Sequence, residues 1–163
     1  MTDPYNQACE SDAPPAHDGD EPEAPLWVVR HGRETDWPFL IASWVRSHAD
    51  TWLSSALGHT YVQEHSRAVK EWLAHPGTQV RVAVDPSDSD AILGFAVWFG
   101  SIVHYVYVRP GMRRMGCAKA MLEDLKADEC TYTHRISKGT RYSSALIPET
   151  WSYNPYLFLR GPK

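Results

Sequence analysis

Only three cysteines occur in the 163 residues, at positions 9, 117 and 130, an odd number without metal-ligand spacing. That argues against a disulfide framework or a cysteine-rich metal site, and the three read as free thiols. No apolar run comes near the roughly 20 residues needed to span a bilayer. A secretory start, basic and then apolar, is also missing, so a cytoplasmic protein without membrane contact is expected. Eight histidines are scattered without ligand spacing, so no metal is expected. Lys and Arg are absent from residues 1–25, which carry Asp3, Glu10, Asp12, Asp18, Asp20, Glu21 and Glu23. This segment has few apolar groups and two proline-rich runs, and cannot bury enough surface to offset its ordering. Residues 1–25 are therefore read as a disordered acidic tail. All 16 basic residues then fall in the remainder, against 13 acids, so the net charge of −4 conceals a body of +3. Such a body suits an anionic ligand, yet it lacks the basic stripe that tracks a nucleic acid.

The hydrophobic share of 43% and the seven tryptophans point to one globular domain over residues 26–163. Leu26–Val29 reads as a short strand. A helix follows from Arg33-Glu-Thr-Asp36 to Ser47, with Trp37, Leu40, Ile41 and Trp44 on its apolar face. A second helix is expected over Thr60–Ala74, with Thr60 and Gln63 as a capping box. Gln79–Val84 alternates as a half-buried strand, Asp85–Asp90 turns, and Ile92–Phe99 is the next strand. Cys130–Ile136 is expected as a strand, Arg141–Leu146 as a helical turn, and Trp151–Leu159 as an extended end. The expected architecture is a mixed sheet with helices on both faces, α/β in class.

One stretch organises the rest. Ile102–Val108 is β-branched and aromatic almost throughout, as a strand covered on both faces would be. Pro110 stops it. Ala118, Met121, Leu122 and Leu125 then recur at helical spacing, with Lys119, Glu123 and Lys126 on the opposite face. Between strand and helix lies Arg113-Arg-Met-Gly-Cys-Ala118, a basic turn suited to gripping a phosphate with backbone amides.

The element order and the residues Val108-Arg-Pro110 and Arg113-Arg-Met-Gly116-Cys-Ala118 resemble the GNAT superfamily of N-acetyltransferases, over about residues 26–136. The resemblance implies a GNAT-like fold. It also implies transfer of an acetyl group from acetyl-CoA to a primary amine by direct attack in a ternary complex. The CoA pyrophosphate would meet the amides of Arg113, Arg114, Met115, Gly116, Cys117 and Ala118, with Arg113, Arg114 and Lys119 adding positive charge. Main-chain groups of Tyr105, Val106, Tyr107 and Val108 would bond the pantetheine amides, one of them polarising the thioester carbonyl. The aromatic C-terminal run resembles that of small bacteriophage-encoded members.

An amine must lose a proton to react, and His104 is the candidate general base, on the same strand face as Ile102 and Val106. The superfamily's usual tyrosine pattern for protonating the leaving thiolate is absent. Tyr142 is the candidate acid, with Tyr153, Tyr156 and His134 as further possibilities. Cys117 sits at a variable position of the motif and is read as structural. An acceptor pocket would draw on Trp37, Trp44, Trp52, Tyr61, Tyr153 and Tyr156, with Glu34, Asp36 and Glu64 attracting a cationic amine. The expected acceptor is an amine-bearing small molecule or protein, an amine on a modified nucleic-acid base staying open, and the expected state is a monomer or homodimer. The rival reading is a non-catalytic module that binds an acyl-CoA or a protein on the same fold.

Overall fold

The computed structural model describes residues 25–48, 52–125, 129–134 and 148–162. Six strands form one sheet in the order β1 (Val28–His31), β2 (Thr78–Asp85), β3 (Asp88–Phe99), β4 (Ile102–Val108), β5 (Thr131–Tyr132) and β6 (Ser152–Tyr153). The first four strands run antiparallel to one another, and β4, β5 and β6 are parallel. Between β1 and β2 lie a 3₁₀ turn at Glu34–Asp36 and the helices α1 (Trp37–Ser47), α2 (Trp52–Leu57) and α3 (His59–Ala74). α4 (Cys117–Met121) follows β4, and α5 (Tyr156–Leu159) follows β6. Among the described residues no helix is long and apolar enough to cross a membrane.

Strand alternation divides the core in two. Val80, Val82 and Val84 of β2, with Phe95 and Val97 of β3, pack against Leu40 and Trp44 of α1 and Val69, Trp72 and Leu73 of α3. On the opposite face Ala83, Ala96, Trp98 and Val103 meet Cys117 and Met121 of α4. This second layer depends on Gly94. A Cβ there would lie 2.7 Å from the Tyr107 carbonyl oxygen and 3.2 Å from Met121 Cε. Gly94→Ala is therefore expected to cost about 1–3 kcal/mol, the usual range for overpacking, measured as a lower urea midpoint with unchanged slope.

At the edge of the first layer, Arg30 of β1 donates two hydrogen bonds to Asp36, at 2.7 and 2.9 Å, and a third to the Ser89 carbonyl. Asp36 also accepts from the Arg33 amide at 2.7 Å. The carboxylate thus fixes the 3₁₀ turn that launches α1 beside β1.

Several expectations are corrected. α3 starts at His59 after Gly58, whose φ of 52° ends the preceding helix, and no Thr60–Gln63 capping box forms. α4 ends at Met121 and continues only as turns, where the sequence pattern predicts a helix to Leu125. Glu123 and Asp124 oppose the helix dipole at that end, and Arg81 of β2 holds Asp124 by a 2.8 Å hydrogen bond. Trp151–Leu159 is not simply extended. It supplies the sixth strand and a helical turn whose Phe158 enters the core, its carbonyl accepting from Trp72 Nε1 at 3.0 Å. The expected tail, the Arg141–Leu146 turn and Tyr142 lie outside the described residues.

Candidate functional site

β4 is continuous along β3 but follows β5 for only two residue pairs, Ile102 with Thr131 and Val103 with Tyr132. The last main-chain bond between them runs from the Thr133 amide to the Val103 carbonyl, at 3.0 Å, and the Thr133 hydroxyl donates to the His104 carbonyl at 3.2 Å. Beyond it, the β5 side of β4 has no strand partner among the described residues. The Arg109 amide donates to the Leu93 carbonyl at 2.8 Å, which sets the phase of the β3–β4 ladder. In an antiparallel ladder alternate residues turn their main-chain groups to opposite sides. Tyr107 and Tyr105 therefore bond β3, while Val106 and the Val108 amide turn to the open side, where the Val108 carbonyl already accepts from Arg113 Nε. Only half of the four residues expected to offer main-chain groups do so.

His104 sits at a bulge, because Val103 pairs with Trp98 and Tyr105 with Val97. The extra residue breaks the alternation and turns His104 and Tyr105 to the same face. Sharing a face with Val106, as expected from the sequence, is thereby corrected. His104 faces α3 instead, 1% exposed, its ring 3.9 Å from that of Trp72. Its Nδ1 lies 3.4 Å from Thr133 Oγ1, and its buried Nε2 has no partner. Burial pushes its pKa down to about 4. The ring is enclosed by core residues and is not presented to the open edge of β4.

The loop after β4 is wound tightly. Its amides at Met112 and Arg113 bond back to Arg109 and Pro110, and Arg113 Nε donates to the Val108 carbonyl at 3.0 Å. Arg114 and Gly116 both take positive φ, 71° and 85°. Glycine adopts this conformation without strain, whereas arginine does so at some cost. Among the described residues no group accepts a hydrogen bond from the amides of Met115, Gly116, Cys117, Ala118 or Lys119. Arg113, Arg114 and Lys119 are exposed around them. A cleft of about 570 Å³ opens alongside, between Gly116, Lys119 and Leu122 on one wall and Pro148 and Trp151 on the other. Cys117 is buried beneath the loop, and burial raises its thiol pKa, which keeps it a protonated packing residue.

A cluster that sequence reasoning did not assemble lies where β5 leaves β4. His134 follows Thr133 directly, with its ring 4.6 Å from that of Tyr105, the residue just before Val106. His134 Nδ1 lies 3.2 Å from Nε2 of His48, at the end of α1. The His65 ring, on α3, is 4.6 Å from that of His48. Burial pushes the pKa of His65 down to about 4, with the nearby His48 adding to the shift. His134 falls to about 3 through burial and then through His48 and His65. His48 is also lowered by burial, partly offset by its bond to the Trp44 carbonyl. All three rings are therefore neutral at pH 7.

The residues expected to form an aromatic acceptor pocket, apart from Trp52, whose side chain lies outside the described ones, are not gathered in one place. Trp44 and Tyr61 are buried in the core, Trp44 stacking on Tyr105 at 4.9 Å, while Tyr153 and Tyr156 are exposed. Asp36 is committed to Arg30, and Glu64 pairs with Arg67 on the surface of α3. No group of three or more His, Cys, Asp or Glu among the described residues is arranged to hold a metal ion.

No family model matches the chain, and no curated protein matches it. Among solved structures it is similar to apo-form YjaB from Escherichia coli, with 25% identity and a TM-score of 0.43 over 61% of this chain and 63% of that one. A GCN5-related N-acetyltransferase from Kribbella flavida is similar at 20% identity and TM-score 0.43, over 61% of this chain and 62% of that one. The match to a possible acetyltransferase from Clostridium difficile 630 has 14% identity and a TM-score of 0.49, over 74% and 86% of the two chains. The chain thus spans less than two thirds of the first two of these proteins.

Proposed function

We propose that this protein is an acetyl-CoA-dependent N-acetyltransferase that transfers the acetyl group to a primary amine by direct attack in a ternary complex. The observation that carries this reading is the open edge of β4 running straight into the basic loop. Pantetheine holds two amides in an extended chain, and Val106 and the Val108 amide offer complementary main-chain groups to such a chain. A pyrophosphate at the far end would meet the five amides of Met115–Lys119 and the charges of Arg113, Arg114 and Lys119. An N–H on the β4 edge, aimed at the thioester oxygen, would stabilise the oxyanion that forms during attack.

Titration calorimetry with acetyl-CoA, followed by thiol release with tyramine, spermidine, a lysine peptide and an aminoalkyl nucleoside, tests this reading. Binding with amine-dependent thiol release is expected. Binding without release by any acceptor would favour a non-catalytic acyl-CoA module, and absence of binding would defeat both. Arg114→Gly removes a charge while relieving a positive φ. It is expected to weaken acetyl-CoA binding about three- to tenfold, roughly 1 kcal/mol.

A further inference from the structure

We infer, on the acetyltransferase reading above, that His134 is the general base of this site and that His48 is the positioning residue that orients it and relays its proton. The directions of the hydrogen bonds fix the roles. His48 Nδ1 lies 3.1 Å from the Trp44 carbonyl oxygen, which only accepts, so this nitrogen carries the hydrogen. Ser47 Oγ, 3.1 Å away, has its own hydrogen on the same carbonyl at 2.7 Å and offers no competing donor. In neutral His48, Nε2 is then the lone pair. That lone pair faces His134 Nδ1 at 3.2 Å, so Nδ1 must be the protonated nitrogen of His134. The remaining lone pair, on His134 Nε2, has no hydrogen-bond partner among the described residues and is the basic end of the chain.

The pair's place in the fold fits this chemistry. His134 is the first residue after the last β4–β5 bond, and its ring stands edge-on to Tyr105, immediately before the open groups of Val106. His48 caps α1, where the helix dipole and the Trp44 carbonyl, which takes its Nδ1–H, partly offset the burial that lowers its pKa. In the reaction the neutral amine bonds to the acetyl carbon. The N–H acidified by that bond, rather than a free ammonium, passes its proton to His134 Nε2, a weak base because of its burial. The Nδ1 proton of His134 moves to His48 Nε2, placing positive charge at the end of α1. The carbon–sulfur bond then breaks, and the sulfur recovers a proton through the same pair, which ends the cycle neutral. Among the described residues the titratable groups facing the pair are His65 from α3 and Tyr105 from β4. Crowding of three imidazoles allows only one to hold the charge at a time.

Two measurements on the full-length protein decide it. Ring-¹⁵N histidine spectra without ligand should report the Nδ1–H tautomer for both His48 and His134. Thiol release with the best acceptor of the panel should fall about 10²- to 10⁴-fold in His134→Ala, the usual contribution of a general base. Acetyl-CoA affinity should be unchanged, and added imidazole should restore part of the rate. His48→Asn should lower kcat about tenfold with little change in KM. An Nε2–H tautomer at His134, a fully active His134→Ala, or a loss that imidazole leaves untouched would each overturn the base assignment while the acetyltransferase reading stands. A wild-type protein that binds no acetyl-CoA or releases no thiol would remove both.

Discussion

Acidification from pH 7 to pH 4 is expected to remove several kcal/mol of folding stability, most of it through buried histidines rather than carboxylates. His104 alone accounts for about 3 kcal/mol, since a pKa near 4 in the fold against 6.5 in the unfolded chain is a gap of about 2.5 units at 1.36 kcal/mol each. The sign follows from which state binds the proton. Between pH 6.5 and 4 the unfolded chain takes up a proton that the folded protein refuses, so stability falls as the pH drops through that window. Above pH 6.5 the contribution is complete. His65 and His134 act in the same direction, and their proximity to His48 makes the sum less than additive. Urea midpoints measured at half-unit steps between pH 7.5 and 4 would show the slope. His104→Leu should flatten it by about one proton's worth, and an unchanged slope in that variant would show that His104 titrates normally.

Breaking the Arg30–Asp36 pair from one side is expected to be the most damaging single substitution at neutral pH. Asp36 is 5% exposed and Arg30 is largely covered, so Asp36→Ala leaves a guanidinium without its counter-charge in a dry place. Such losses run to about 3–5 kcal/mol, against the total of roughly 5–15 kcal/mol typical of a domain. Replacing both partners, with Arg30→Met and Asp36→Leu together, should recover much of that loss, and a double-mutant cycle would measure the coupling directly. Burial alone would raise the Asp36 carboxyl pKa, but the Arg30 hydrogen bond, the Arg33 amide and both positive charges outweigh it and hold the pKa below the usual range. Its stabilisation is therefore complete above pH 3.8 and is lost only as the pH falls further. Acid unfolding should thus have two parts, a histidine part above pH 4 and a carboxylate part below it.

Local signals in the sequence were strong where one residue type has one physical use. Pro110 ended a strand, Gly116 opened a turn, and the valines at 80, 82 and 84 marked a buried face, so the mixed sheet and the basic loop were legible. The misjudged elements depend on distant partners. The bulge at His104 leaves no trace in Ile102–Val108, which reads as an unbroken strand, and the mistaken face followed from that. Ser152–Tyr153 becomes a strand only because β5 offers an edge, and α4 stops short partly because Arg81, 43 residues away, engages Asp124. The histidine pair is harder still. His48 and His134 are 86 residues apart, and nothing in either neighbourhood refers to the other. A short polar side chain at the end of a helix and another at the end of a strand look like ordinary surface residues until the fold brings them together.

The bulge has one more effect, on how fast the site can fill. A bulged strand bends and twists more sharply than its neighbour, and β4 parts from β5 just past His104. The separation is therefore built into the resting sheet. Among the described residues no strand bonds Val106 or Val108 on that side, so an incoming chain meets no main-chain ladder there, only the Arg113 bond to the Val108 carbonyl. Association should then depend on salt, through attraction to the loop arginines, more than on temperature through an activated opening.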